Sequence, residues 1–379
     1  MTSNRNTAFL LSMILALTLA FTGCGSGEKA GSPGSSGIPG AEETEAASGK
    51  AGMHTVTHID GREIPVPDHV ERIAAVYGPS YEMCAALGAE DRIAAAADVQ
   101  IENFPWAEKV FSRISDLPCL QNVHSSVSFE ELQKYSPDLV LTFNRPNELN
   151  QLEKAGIPAI GGLTPKSLDE EKALVQVYGD ALGGKAPERA QDYIAYFDEI
   201  QKKISERTSR LSDTEKPAVY YAGVDLLTTY GRQSDLIEVI ETAGGRPVMK
   251  ELNAGNHTSV NYEQLASWDP EYIFIDHGGM NDRQTVEEIL AGTEKNSRYQ
   301  SIRAVKNQDM YLVPSGVFYW DMGLQKILLV EYMAKILHPD LFDDLDMARE
   351  LKEFYSRFFS YDLSDDEAER ILERKDPAG

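Results

Sequence analysis

Two rhythms of apolar residues alternate along this chain. Short apolar runs rich in Ile, Val, Tyr and Ala read as buried strands, and the stretches between them carry apolar residues at helical spacing. Residues 72–77 form such a run and are followed by Gly78-Pro79-Ser80. Helical spacing then holds over 81–87 and stops at Gly88. Further strand runs cover 92–97, 136–142 and 157–162. The pattern repeats later: 216–223 is a strand and turn, 236–243 a helix stopped by Gly244-Gly245, and 269–275 echoes 136–142 in its Pro-acid opening. A last run covers 309–314. Strand and helix alternating in this way predict two similar halves with parallel sheets, so the expected fold is α/β with two Rossmann-like lobes.

Between the halves, Ala190, Ile194, Phe197, Ile200, Ile204 and Leu211 fall on one face of a helix, with Pro187 near its first turn. One long amphipathic helix over 186–212 is therefore expected to join the lobes. After it, 213–338 makes the second lobe, matching a first lobe over 54–185. Residues 339–379 form an acidic helical tail whose apolar stripe is Leu351, Phe354, Tyr355, Phe358 and Phe359. Packing on a lobe is the plain reading of that stripe, and a partner-binding helix is the other.

The first residues follow a different pattern. Arg5, an apolar stretch over 8–20 and Phe21-Thr22-Gly23-Cys24 read as an export signal. The stretch is short for a permanent bilayer span. Cys24 after Thr and Gly resembles the lipobox of bacterial lipoproteins, in which the thiol is acylated and becomes the first residue of the mature protein. An ordinary secretory signal that happens to hold a cysteine is the alternative. Residues 24–53 are mostly Gly, Ser, Pro, Ala and Glu with no apolar periodicity, which predicts a flexible tether. The expectation is a lipid anchor on the extracytoplasmic face of the cell membrane, with palmitate among the acyl chains.

Composition narrows the classes. Of the 36 basic residues only Arg5 precedes Cys24, so 35 bases face 60 acids in the mature chain, a formal charge of −25. A domain this acidic is a poor partner for nucleic acid. Beyond Cys24 only Cys84 and Cys119 remain, too few for a disulfide framework. One bridge between them and two free thiols both stay open. There is no Cys-x-x-Cys, His-Glu-x-x-His, phosphate loop or Gly-x-Ser-x-Gly, and no cofactor is expected. A lipid-anchored surface hydrolase would need a nucleophile–base pair or metal cluster, and an adhesin would favour β-rich repeats.

Several stretches in order resemble the substrate-binding proteins of ABC importers for iron–siderophore complexes, haem and cobalamin. They include 55–67 as an opening hairpin, Glu71-Arg72-Ile73-Ala74-Ala75, Ala85-Ala86-Leu87-Gly88-Ala89, Phe129-Glu130-Glu131-Leu132 before Ser136-Pro137-Asp138, and Ile240-Glu241-Thr242-Ala243-Gly244-Gly245. The resemblance spans roughly 54–339 and implies two lobes bridged by one helix, with the ligand between them. It also implies a non-enzymatic transport role, carried out as a monomer that delivers a small-molecule metal complex to a permease. Relatives that carry oxyanions share the fold, so molybdate or tungstate remains the alternative cargo. By motif position Glu130 and Glu241, one per lobe, would pair with permease arginines.

In parallel α/β lobes, ligands lie beyond the carboxyl ends of the strands. That rule selects Tyr77, Tyr81 and Arg145 from the first lobe, and Tyr230, Arg232, His277, Tyr319 and Trp320 from the second. Aromatic faces suit a bulky chelate and Arg suits an anion. His277, after an apolar strand and before Gly278-Gly279, could complete a metal's coordination. The remaining histidines, His257 among them, read as surface or packing residues.

Overall fold

The computed structural model describes residues 52–97, 104–120, 128–162, 164–223, 225–276 and 285–378. A hairpin opens it: β1 (Met53–Thr57) pairs antiparallel with β2 (Glu63–Pro67). The first lobe then builds a five-stranded parallel sheet. Its strands are β3 (Ile73–Ala75), β4 (Ile93–Ala97), β5 (Cys119–Leu120), β6 (Leu139–Phe143) and β7 (Ala159–Gly162), in spatial order β5-β4-β3-β6-β7. The central strand β3 is buried along its whole length, as a strand covered on both faces must be. Helices α1 (Ser80–Ala86), α2 (Pro105–Val110), α3 (Phe129–Lys134), α4 (Pro146–Lys154) and α5 (Leu168–Leu182) supply that cover.

The joining helix α6 runs over Ala186–Thr208, with Pro187 in its first turn. It buries Ala190, Tyr193, Tyr196, Phe197, Ile200 and Ile204 along one face. Gly179 of α5 lets the two helices approach closely, since a Cβ there would meet that of Ala190 at 2.8 Å.

The second lobe contains β8 (Ala218–Ala222), β9 (Thr228–Thr229), α7 (Leu236–Thr242), β10 (Arg246–Pro247), β11 (Thr258–Ser259), α8 (Tyr262–Trp268), β12 (Tyr272–Ile275), α9 (Val286–Leu290), α10 (Arg303–Asn307) and β13 (Met310–Leu312). Its sheet has the order β11-β9-β8-β12-β13, and β10 adds to β8. Strands β8, β10, β12 and β13 are parallel, but β9 and β11 run antiparallel at one edge. The two-residue strands β9, β10 and β11 are too short to leave a periodic signal in the sequence.

The echo between 136–142 and 269–275 is structural. Ser136 and Asp269 both take φ of 42° directly before a proline, and the acid after each proline fastens the neighbouring strand. Asp138 accepts from the backbone N–H groups of Glu71 and Arg72, each at 2.9 Å, and Glu271 accepts from Ala218 N at 3.2 Å.

Helix α11 (Lys326–Leu337) follows, buried on nearly all sides. The tail folds into α12 (Met347–Phe354), one π-turn over Tyr355–Phe359, and α13 (Asp365–Leu372), which opens with a Ser364–Glu367 capping box. Its apolar stripe is buried against both lobes and the joining helix. Phe359 meets Phe111 at 5.3 Å, Phe358 meets Tyr193 at 5.4 Å, and the Tyr355 hydroxyl donates to Gln325 Oε1 at 3.0 Å. No disulfide joins Cys84 and Cys119; the first is buried and the second exposed.

Candidate functional site

The carboxyl ends of the two sheets face a cavity of about 230 Å³. Tyr77, Glu171 and Tyr178 line it from the first lobe, and Tyr230, Asp235, His257, Asp321 and Lys326 from the second. Tyr77 follows β3 and folds its ring over the end of β7. Only a glycine permits this at position 162, where a Cβ would sit 2.3 Å from the ring. The same ring meets Phe143 edge-on at 5.0 Å, and the Arg145 guanidinium lies 4.5 Å from Phe143 on the way to Glu148. Burial pushes the Tyr77 phenol well above its ordinary pKa, so it remains a hydrogen-bond donor at neutral pH.

On the opposite wall, Tyr230 donates to Asp276 Oδ2 at 2.8 Å and Tyr221 donates to Asp321 Oδ2 at 2.9 Å. The two phenol rings meet edge-on at 5.4 Å, and the His257 ring lies 5.3 Å from Tyr230.

Two buried polar links tie the lobes at this cavity. Lys326, at the start of α11, donates to Glu171 Oε2 of α5 at 3.0 Å and to Asp235, which precedes α7. Burial alone would strip the lysine of its proton, but Asp235 and Glu171 outweigh that and hold it charged. Burial also raises both carboxyls, against the pull of Lys326. One ammonium cannot neutralise two carboxylates, so burial favours a proton shared within the trio. In the second link, Glu82 of α1 accepts from Gln325 Nε2 at 2.8 Å and from Leu324 N at 3.3 Å. Burial is its largest influence and lifts its pKa to about 8.

Among the residues selected from sequence, Tyr77 and Tyr230 line this cavity. Arg145 belongs to the strand-end stack behind Tyr77. Tyr81 is a buried residue of α1 and donates its hydroxyl to Glu90 at 2.9 Å, outside the cavity lining. Arg232 is exposed and donates to Asn253 at 3.1 Å, outside the cavity lining. Tyr319 is half-buried in an aromatic cluster that joins Phe104 of the first lobe, at 4.7 Å, to Phe318 of the second. Trp320 is fully buried against Tyr332, with no hydrogen-bond partner for its indole nitrogen among the described residues, because the segment after β13 folds back into the core. His277 and Cys24 lie outside the described residues.

Glu130 is exposed in the first turn of α3, whose cap is the Ser128 side chain. Glu241 is exposed in the last turn of α7 and pairs with Lys250. The two acids therefore stand on the surface, one on each lobe.

The residues missed from sequence are Lys326, Glu171, Asp235, Asp321 and His257. One signal was available: Lys326 and Glu331 sit in the apolar run Lys326-Ile327-Leu328-Leu329-Val330-Glu331, and a charge inside an all-round apolar helix needs a buried partner.

A family model described as periplasmic binding protein matches residues 73–317. The molybdate-binding protein MolA of Haemophilus influenzae is 24% identical over 340 residues, covering 82% of this chain and 92% of that protein. Its molybdate-bound crystal structure superposes with a TM-score of 0.70 at 19% identity, over 82% of this chain and 99% of that one. A periplasmic solute binding protein from Veillonella parvula gives a TM-score of 0.72 at 26% identity, covering 85% and 97%. The haem-binding RhuT of a Roseiflexus species gives 0.57 at 18% identity, covering 72% and 99%.

Proposed function

Because this chain belongs to the periplasmic binding protein family, we propose that it captures an iron complex of siderophore, haem or cobalamin type and hands it to an ABC permease. Its general role is that of the substrate-binding component of an ABC transporter. The observation that carries the finer reading is the interlobe cavity, with tyrosines on both walls and an acidic floor. Phenol rings present flat apolar faces with one polar edge, which suits a bulky organic chelate. A bare oxyanion would meet Glu171, Asp235 and Asp321, with Lys326 already shared between two carboxylates.

A metal oxyanion such as molybdate is the second reading, favoured by the likeness to MolA. Lys326 would then be the cation that receives it, with a carboxyl of the trio keeping its proton.

Delivery requires the protein to stay near its permease. In this reading Cys24 carries the lipid, residues 24–53 form the leash, and the monomer docks through Glu130 and Glu241. Charge-assisted pairs at two separated points fix orientation and speed encounter. Native mass spectrometry of protein purified from its own host, with metal analysis of the bound species, tests the cargo. A co-purifying iron chelate supports the first reading, and a molybdenum or tungsten oxyanion replaces it with the second.

A further inference from the structure

Helix α11 carries a second buried charge that the cargo site does not use. Glu331 follows Lys326 by five residues, about 140° around the helix, so it faces away from the interlobe cavity. It is 3% exposed, and its Oε2 has no hydrogen-bond partner among the described residues. A buried carboxyl left in this state is costly unless something else meets it. Glu331 lines a separate cavity of about 290 Å³.

Three parts of the chain wall this cavity: the last turns of α6, the middle of α11, and the tail as far as α12. Ile204 and Phe342 are its buried apolar lining, while Lys203, Asp344 and Arg349 border it as exposed residues. The tail wall is fixed, since Lys335 Nζ donates to Phe342 O at 2.6 Å and the Arg207 guanidinium lies 5.2 Å from the Phe342 ring centre. The lining cations are already matched. Lys203 pairs with Glu199 at 2.7 Å, Arg207 with Asp344 at 2.6 Å and Arg349 with Glu350 at 2.8 Å. Glu331 is therefore the one charged group of the lining that lacks a partner among the described residues. Facing it are Tyr196 and Lys203 from α6, and Glu350, Glu353 and Arg349 from α12. Burial first, and then Glu350, raise its pKa well above the ordinary carboxyl value, against the pull of Lys203.

We infer that this cavity is a second ligand site, and that it takes a small organic cation whose primary ammonium pairs with Glu331 and whose alkyl chain lies along Ile204 and Phe342. An ammonium brings three N–H donors to a carboxyl whose Oε2 receives none, and a charge-assisted contact is stronger away from water. An anion has no such place here, because it would meet an unmatched acid beside bases that already hold carboxylates. The raised pKa favours a proton on the empty carboxyl. The ammonium displaces that proton, so affinity rises with pH. A ligand in this cavity would tie the joining helix to the tail. The site lies outside the interlobe cavity and does not depend on what the cargo is.

Calorimetric titration of the full chain with pentylamine, 1,5-diaminopentane and pentanoate tests this. Both amines should bind saturably, pentanoate should not, and amine affinity should rise from pH 6 to 8. Glu331→Gln keeps the shape of the side chain and removes its charge. It should bind the amines at least tenfold more weakly, with a melting temperature no lower than that of the wild type. If neither amine binds the wild type, the inference is overturned and the cavity holds water alone. Equal amine affinity in wild type and Glu331→Gln overturns it too, since the amine then sits elsewhere, as on the acids of the interlobe cavity. Pentanoate binding as tight as the amines, or amine affinity that falls from pH 6 to 8, has the same force. These last two comparisons use the wild type only, so they decide the matter even where Glu331→Gln fails to fold.

Discussion

Glu82→Gln should change how stability depends on pH. Glu82 crosses from α1 to the second lobe, where Gln325 Nε2 and Leu324 N donate to it. It is 2% exposed, and burial moves its pKa from the usual 4.5 to about 8. Between those two values the folded chain holds a proton on Glu82 that the unfolded chain has released. The unfolded state then binds fewer protons, so stability falls as pH rises through this window. At about 1.36 kcal/mol per pH unit, the full fall is about 5 kcal/mol, and about 3 kcal/mol of it has accrued by pH 7. Glutamine has the same shape and no titration. Its amide disturbs the contact with Leu324 N, but that offset is the same at every pH. Urea denaturation of both proteins in steps from pH 5 to 8.5 measures the difference. The variant should gain on the wild type steadily as pH rises, by an amount of this order. Parallel profiles would refute the reasoning, since Glu82 would then be ionised in the folded chain or free to reach water.

Three other perturbations address separate parts of the molecule. Cys24→Ala should release the protein from membranes or block its processing, as fractionation after metabolic palmitate labelling would show; unchanged label and retention would remove the anchor. Glu130→Ala with Glu241→Ala should impair uptake and leave ligand affinity within about twofold, since exposed side chains on α3 and α7 carry no cavity contacts; an equal loss of affinity would assign these acids to the site or the fold. Lys326→Met should destabilise the chain by about 3–5 kcal/mol, because Glu171 and Asp235 would stay buried without their cation. Adding Glu171→Gln and Asp235→Asn should recover much of that in urea denaturation, and no recovery would mean the loss comes from packing.

The parts of the fold that were legible in sequence are those where one rhythm lasts long enough. The joining helix was expected over 186–212 and forms over Ala186–Thr208. Pro187 and a stripe of buried residues marked it well, while its end depends on local turns past Thr208. The strands β3, β6, β8 and β12 were readable because parallel strands covered on both faces are almost wholly apolar. The antiparallel edge of the second sheet was not, since β9 and β11 have two residues each and are defined by their neighbours.

The strand-end rule was only partly sufficient for the site. It selected Tyr77 and Tyr230, which follow strands directly and line the cavity. It also selected Trp320, but the strand is followed by a segment that turns inward, so distance along the chain does not measure distance from the cleft. Lys326, Glu171 and Asp235 come from three elements far apart in sequence, and only folding shows that they share one proton economy.

The central claim is that the cleft between the lobes holds a metal complex for import. It is tested most directly by titrating the purified protein, in a calorimeter, with ferric siderophore complexes, haem, cobalamin, molybdate and tungstate, alongside a Tyr77→Ala, Tyr230→Ala double variant. The expected result is one-to-one binding of an iron chelate that weakens at least tenfold in the variant. Binding of no probe, or equal binding by both proteins, would contradict it.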